Sequence, residues 1–269
     1  MNFVIETSEL RTLLETQSSA KRLLIDVSSE QSYLAGHIPG SLHLLPGRLM
    51  SGEKPAPGRL PSKETLEQVM SSLGLEPDTE VIAYDDEGGG WAGRLLWTLD
   101  VLGHKNYRYL NGGKVAWRSD GLPLESTPNT LSPSQYTARI DTRLQVEIPD
   151  ILAGLNNGTL TVWDARSPEE YRGEKVLALK GGHIPGAINC EWTRMMDPDN
   201  GLRFRSDAES QLKSLGLEQG QNIVTHCQSH HRSGFTYILG KKLGFTINAY
   251  AGSWSEWGNH PDTPVETSL

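Results

Sequence analysis

The chain is written twice, and that constrains its fold more than any other feature. Gly36-His37-Ile38-Pro39-Gly40-Ser41 returns 146 residues later as Gly182-His183-Ile184-Pro185-Gly186-Ala187. Leu73-Gly74-Leu75-Glu76 returns as Leu215-Gly216-Leu217-Glu218, 142 residues later. Leu102-Gly103, Gly112 and Trp117 return as Leu243-Gly244, Gly252 and Trp257. Three matches in one order, at a nearly constant offset, indicate a duplicated unit. The period is too long for a solenoid, so each copy is expected to be a domain of about 120–130 residues. Residues 1–124 form the first on this reading, and residues 143–269 the second. Residues 125–142 are the linker, because residues 123–133 are rich in Pro, Ser and Thr and lead into a strand-like Tyr-Thr-Ala-Arg-Ile at 136–140.

Composition excludes several classes. The 25 basic and 33 acidic side chains leave a net charge of −8, which argues against a nucleic-acid binder. It does not exclude an anionic substrate, since a local pocket can oppose the global charge. No apolar run approaches the roughly 20 residues of a membrane helix, and no secretory signal is visible at the N-terminus. Two cysteines, Cys190 and Cys227, cannot make a disulfide framework, so a cytoplasmic setting and a monomer are expected.

Within each copy short apolar runs alternate with helical segments. Residues 22–27, 81–84, 160–165 and 222–226 read as strands. Residues 62–73 and 207–215 read as helices, with Ser62 and Asp207 as N-caps. Apolar strands alternating with helices predict an α/β fold: two tandem domains, each a parallel β-sheet flanked by helices on both faces. Ligands in such sheets sit at the carboxyl ends of the strands.

At one such end the copies differ. Twelve residues after Leu73 stands Asp85, and twelve after Leu215 stands Cys227. The second copy continues Gln228-Ser229-His230-His231-Arg232-Ser233-Gly234, then an amphipathic helix over 235–243; the first continues Asp86-Glu87-Gly88-Gly89-Gly90. A loop running from a strand into a helix N-terminus turns backbone N–H groups inward and favours an anion. Arg232 and the paired histidines add positive potential, which lowers a thiol pKa. Cys227 is therefore the candidate nucleophile, and Cys190, after an apolar stretch, reads as packing. Zinc is a competing reading of His226, Cys227, His230 and His231, but strand geometry puts the first two on opposite faces and no second Cys pair completes a set. No nucleotide fingerprint or cofactor motif occurs. Trp91, Arg94 and Trp117 line either a surface facing the second copy or ordinary core.

These residues carry a resemblance. Asp26 and Asp164-Ala165-Arg166-Ser167 at strand ends, the two Gly-His-Ile-Pro-Gly turns, the Cys-x4-Arg-Ser-Gly loop and the closing Gly-x4-Trp resemble, in order, a two-domain rhodanese, a family of sulfurtransferases. The resemblance implies a catalytic second domain, with Cys227 cycling between thiolate and persulfide, and a catalytically silent first domain. It implies that Arg166 and Arg232 hold an anionic sulfur donor such as thiosulfate, with Gln228, Ser229, His230 and His231 lining the site and no cofactor or metal. A thiophile, cyanide or a thiol, takes the sulfur; a protein acceptor is an alternative. The loop has neither the basic pair after the cysteine associated with thiosulfate nor the small residues associated with 3-mercaptopyruvate. It resembles a bacterial variant with paired histidines. Three further readings remain open on the sequence: a 3-mercaptopyruvate sulfurtransferase, a persulfide carrier, and a dual-specificity-type phosphatase, whose Cys-x5-Arg loop is one residue longer.

Overall fold

The computed structural model describes residues 3–16 and 21–268. In chain order the elements are β1 (Val4–Ile5), α1 (Thr7–Glu15), β2 (Arg22–Asp26), α2 (Glu30–Ala35), β3 (Leu42–His43), α3 (Lys63–Ser72), β4 (Glu80–Tyr84), α4 (Gly90–Val101), β5 (Tyr107–Leu110) and α5 (Gly113–Ser119). The second copy continues with α6 (Ile148–Asn156), β6 (Thr161–Asp164), α7 (Pro168–Arg172), β7 (Ile188–Asn189), β8 (Met196–Asp197), β9 (Arg203–Phe204), α8 (Ala208–Ser214), β10 (Asn222–His226), α9 (Arg232–Lys242), β11 (Thr246–Ala249) and α10 (Ser253–Trp257).

Two compact units result. One comprises Met1–Leu49, Pro61–Asp141 and Met196–Phe204; the other comprises Met50–Leu60, Thr142–Met195 and Arg205–Leu269. The first unit is built on a parallel sheet of order β1-β5-β4-β2-β3, the second on a parallel sheet of order β11-β10-β6-β7. Leu23, Leu24 and Ile25 of β2 and Val81, Ile82 and Ala83 of β4 are all buried, as strands covered on both faces must be. The α/β expectation holds in both units.

The units are not continuous halves. The β8–β9 hairpin packs in the first unit: Arg203 bonds Asp120 at 2.6 Å and the Phe204 N–H donates to Asn111 Oδ1 at 2.9 Å. Segment 50–60 packs in the second, where Arg59 reaches Glu147 at 2.5 Å and Glu256 at 2.6 Å. Residues 125–141 lie along the first unit, with Tyr136 and Ala138 buried. Residues 136–140 form no strand; their backbone finds isolated partners, such as Arg139 N–H to Leu102 O at 3.0 Å.

The repeated motifs do the same work in each unit. His37 stacks on Tyr33 and His183 on Tyr171, with ring centroids 3.8 and 3.6 Å apart, and each Nδ1 lies 2.8 Å from that tyrosine's carbonyl. Their backbones exchange hydrogen bonds with Glu125 and Glu266. Gly182 has φ 104°, and a Cβ there would collide with the Glu266 carbonyl, so the turn demands glycine. Trp117 and Trp257 are buried, their indole N–H groups donating to Pro123 O at 2.7 Å and Pro264 O at 2.8 Å. Arg94 is likewise interior, donating to Leu49 O at 2.6 Å. Arg94 and Trp117 are both buried.

Two local expectations change. Ser62 caps α3 by accepting from Thr65 N–H, but Asp207 makes no side-chain cap on α8. Its carboxylate is taken by Arg205 at 2.8 and 2.9 Å and by Gln211 at 2.8 Å. The helix after Cys227 begins at Arg232 and is buried from Ser233 to Gly240, so it is an interior helix rather than an amphipathic one.

Candidate active site

β10 pairs on one side with β6 and on the other with β11, which places Cys227 at the carboxyl end of a central strand. The loop behind it is fixed through its carbonyls. Trp254 N–H donates to Cys227 O at 2.9 Å and Ser255 N–H to Gln228 O at 3.0 Å. The first turn of α10 thus holds the outer side of the loop. The Cys227 N–H reaches Ser253 Oγ at 3.4 Å.

Cys227 is 1% exposed. Burial pushes its thiol up and is the largest single influence. The Arg232 charge, the Ser233 hydroxyl and N–H, and His231 outweigh it, so the thiol lies below its ordinary value. The Ser233 Oγ–Sγ distance is 3.5 Å. Cys190 is also buried but has no such donors, and burial pushes it up to about 11. One thiol is tuned toward thiolate and the other away from it.

Arg232 stands at the first position of α9 and is gripped by Glu170 at 2.6 and 2.9 Å. Glu170 is also the N3 member of a capping box with Ser167 that starts α7. Burial pushes Glu170 up, but Arg232 outweighs it and keeps it ionised. This ion pair fixes the guanidinium beside the thiol.

Arg166, expected to bind the sulfur donor, is paired with a neighbouring carboxylate. It is 1% exposed; Nε lies 3.0 and 3.1 Å from the Asp164 carboxylate oxygens. Its Nη2 donates to Asp164 at 2.6 Å and Gly182 O at 2.8 Å, and its guanidinium carbon lies 4.2 Å from the Trp254 ring centroid. Asp164 sits beneath the loop in register with His226. The short Asp-x-Arg spacing lets the carboxylate hold the arginine within its own strand-end turn.

The other loop residues divide. His231 and half-buried Trp192 meet edge-on at 5.4 Å. His230 is wholly buried, with Nδ1 2.7 Å from Ser233 Oγ. Gln228 donates to Leu177 O at 3.2 Å, and its buried Oε1 has no hydrogen-bond partner. Ser229 is half-buried under segment 50–60: a Cβ built on Gly58 would collide with the carbonyls of Ser229 and Ala251. Among the described residues no group of three or more His, Cys, Asp or Glu side chains is arranged to hold a metal.

Sequence reading passed over Glu170, Ser233, Ser253, Trp192 and Gly58. Ser233 lay inside the Cys-x4-Arg-Ser-Gly motif, and Ser-x-x-Glu at 167–170 is a capping-box signal. Gly58 carries no local signal. Replacing it by Ala should cost about 1–3 kcal/mol, the usual range for overpacking, because the collision is with backbone. Thermal unfolding of Gly58→Ala checks this against Gly47→Ala, where a Cβ meets nothing within 4 Å; equal midpoints would refute it.

The first unit holds the same loop with a different occupant. Asp85 is fully buried; its Oδ1 accepts from Glu87 N–H at 3.1 Å and Gly89 N–H at 2.8 Å, and its Oδ2 from Ala92 N–H at 2.9 Å. Burial, and then the Glu87 carboxylate, push Asp85 up to about 7 against the pull of those donors. Here the loop wraps a carboxyl group supplied by its own chain.

Comparison with known proteins agrees with this doubled architecture. A model of the rhodanese-like domain matches residues 6–120 and again 148–260. The thiosulfate sulfurtransferase of Azotobacter vinelandii is 48% identical over 264 residues, spanning 98% of this chain and 96% of that one. The sulfur carrier protein TtuD of Thermus thermophilus is 32% identical over 87% of this chain and 86% of its own. The crystal structure of YnjE superposes with a TM-score of 0.89 at 22% identity, over 99% of this chain and 68% of that one. Two copies of one fold, one with a tuned thiol in its strand-end loop and one with a carboxylate, make this chain a tandem member of the rhodanese family.

Proposed function

We propose that the chain is a thiosulfate sulfurtransferase that moves sulfane sulfur to a thiophilic acceptor through a persulfide on Cys227. One observation carries the reading: a buried thiol, depressed by Arg232 and Ser233, stands in a loop whose counterpart in the first unit surrounds a carboxyl group with three backbone donors. The Cys227 thiolate attacks the outer sulfur of thiosulfate, the S–S bond of the donor breaks, and sulfite leaves with the electron pair. The single negative charge passes to the terminal sulfur of the persulfide. Cyanide or a thiolate then takes that sulfur and restores Cys227. Neither step needs a general base, because the attacking group is already a thiolate.

Arg232 is the cation assigned to the departing sulfite, with His231 beside it; Arg166 contributes through Asp164 from beneath. A reducing, cytoplasmic compartment suits a chain whose two cysteines are both free thiols, and no helix among the described residues is long and apolar enough to cross a membrane. A protein acceptor is the second reading. The segment tied to Gln228 exposes Val176, Leu177 and Leu179 at 53%, 48% and 84%, an apolar edge beside the loop.

Intact mass tests the proposal. Thiosulfate should add one sulfur atom per chain and cyanide should remove it; a chain that gains none refutes the persulfide. The loading rate should level off above the depressed thiol pKa and fall about tenfold per pH unit below it, because only the thiolate attacks. A rate still rising through the ordinary thiol range would contradict the depressed thiol.

A further inference from the structure

His230 occupies a backbone position where glycine is the ordinary choice. Its φ is 55°, in the left-handed region, although the residue is wholly buried. The first unit provides an internal control. Three residues after Asp85 the same loop position is Gly88, with φ 95°. Both loops enter their helix five residues after the key position, at Gly90 and Arg232, so the alignment has no gap. Positive φ recurs at this position although the loops part at the next residue, where Gly89 has φ 120° and His231 φ −94°, and only the thiol-bearing copy places a large side chain there.

The side chain has a specific use. His230 Nδ1 lies 2.7 Å from Ser233 Oγ, and Ser233 Oγ lies 3.5 Å from Cys227 Sγ. In the first unit the position of Ser233 is Trp91, so that copy lacks both members of the chain. A serine hydroxyl has one hydrogen and can turn it toward either neighbour. Turned toward the imidazole, it would face the sulfur with lone pairs and repel a thiolate. An Nδ1–H donor occupies those lone pairs and leaves the hydroxyl hydrogen to the sulfur.

We propose that His230 is a positioning residue for sulfur transfer, donating from Nδ1 to Ser233 Oγ and so fixing the Ser233 hydroxyl as a donor to Cys227 Sγ. This assigns His230 to the thiol rather than to the sulfur donor. It rests on the reading of Cys227 as the sulfur-bearing residue, but it is tested on the resting thiol, without turnover. Arg232 with Glu170, His231, and Asp164 with Arg166 and His226 also surround this thiol, and all remain in the variants below.

The test is the pH midpoint of thiolate absorbance, taken as the difference from Cys227→Ala after cyanide treatment. Ser233→Ala should raise the midpoint enough to cut the thiolate fraction about tenfold at a given pH, the usual worth of a hydrogen bond to a charged group. His230→Gly, which keeps the φ, should shift it in the same direction, and His230→Asn should restore it. Asparagine tolerates the left-handed region and can present an amide N–H near Nδ1. The double variant His230→Gly/Ser233→Ala should match Ser233→Ala alone. Additive shifts, or no shift in His230→Gly, would overturn the proposal. Nitrogen NMR of the histidine-labelled protein needs no substitution of uncertain stability for its readout: His230 should carry its proton on Nδ1, and a neutral ring protonated only on Nε2 would overturn the assignment.

Discussion

Cys227→Ala should form no thiocyanate from thiosulfate and cyanide above the uncatalysed rate, and should gain no sulfur mass on incubation with thiosulfate. The expectation follows from the contrast between the two thiols. Cys227 has Arg232, His231 and the Ser233 donors against its burial; at Cys190 burial outweighs the opposing Arg194 charge, and the thiol stays protonated at neutral pH, pushed up to about 11. Cys190 therefore cannot stand in as a nucleophile. Cys190→Ala should retain full sulfur loading while losing some stability, because a buried sulfur is removed from a packed interior. Transfer surviving in Cys227→Ala, or loading lost in Cys190→Ala, would require a different carrier. The alanine variant should fold, since the loop is fixed by its carbonyls to α10 and by Arg232 to Glu170, not through the sulfur.

Much of this was legible because it is encoded in neighbouring residues. The repeat set two copies of one fold, the apolar runs set parallel strands, and the polar run after Cys227 separated it from Cys190. What stayed hidden depends on residues far apart in the chain. For Arg166 the sequence offers either a donor anion or a neighbouring acid such as Asp164 or Glu169, and only the fold shows the buried Asp164 carboxylate against it. Glu170 fixes Arg232 across 62 residues. Gly58 lies under the loop of a domain whose other residues begin at Thr142. In the sequence His230 is one of two paired histidines, and only its positive φ and the 2.7 Å contact to Ser233 separate it from His231. Residues 136–140 have strand composition but meet no strand edge, because tertiary partners decide whether β-rich residues pair.

Asp164→Ala should be the most destabilising single change beneath the loop, by about 3–5 kcal/mol, the usual cost of breaking a buried ion pair from one side. It strips the fully buried Arg166 guanidinium of its carboxylate and leaves it the Gly182 carbonyl and the Trp254 face. In a unit of this size that loss lowers the thermal midpoint by roughly 10 °C or more. Its pH dependence has a definite sign. Burial pushes the Asp164 carboxyl up, but His226 and Arg166 outweigh it and hold it below its ordinary value. A carboxylate depressed by folding stabilises fully above its unfolded pKa, near 3.9, and loses that contribution as pH falls through the lower folded value. The gap between wild type and Asp164→Ala should therefore be full at neutral pH and should close in acid. Arg166→Met should cost a similar amount, since it orphans the carboxylate, and the double variant should cost much less than the two together. Additive losses would mean that the pair is not the unit of stability beneath Cys227, and a gap independent of pH would mean that Asp164 is not held as a carboxylate by its neighbours.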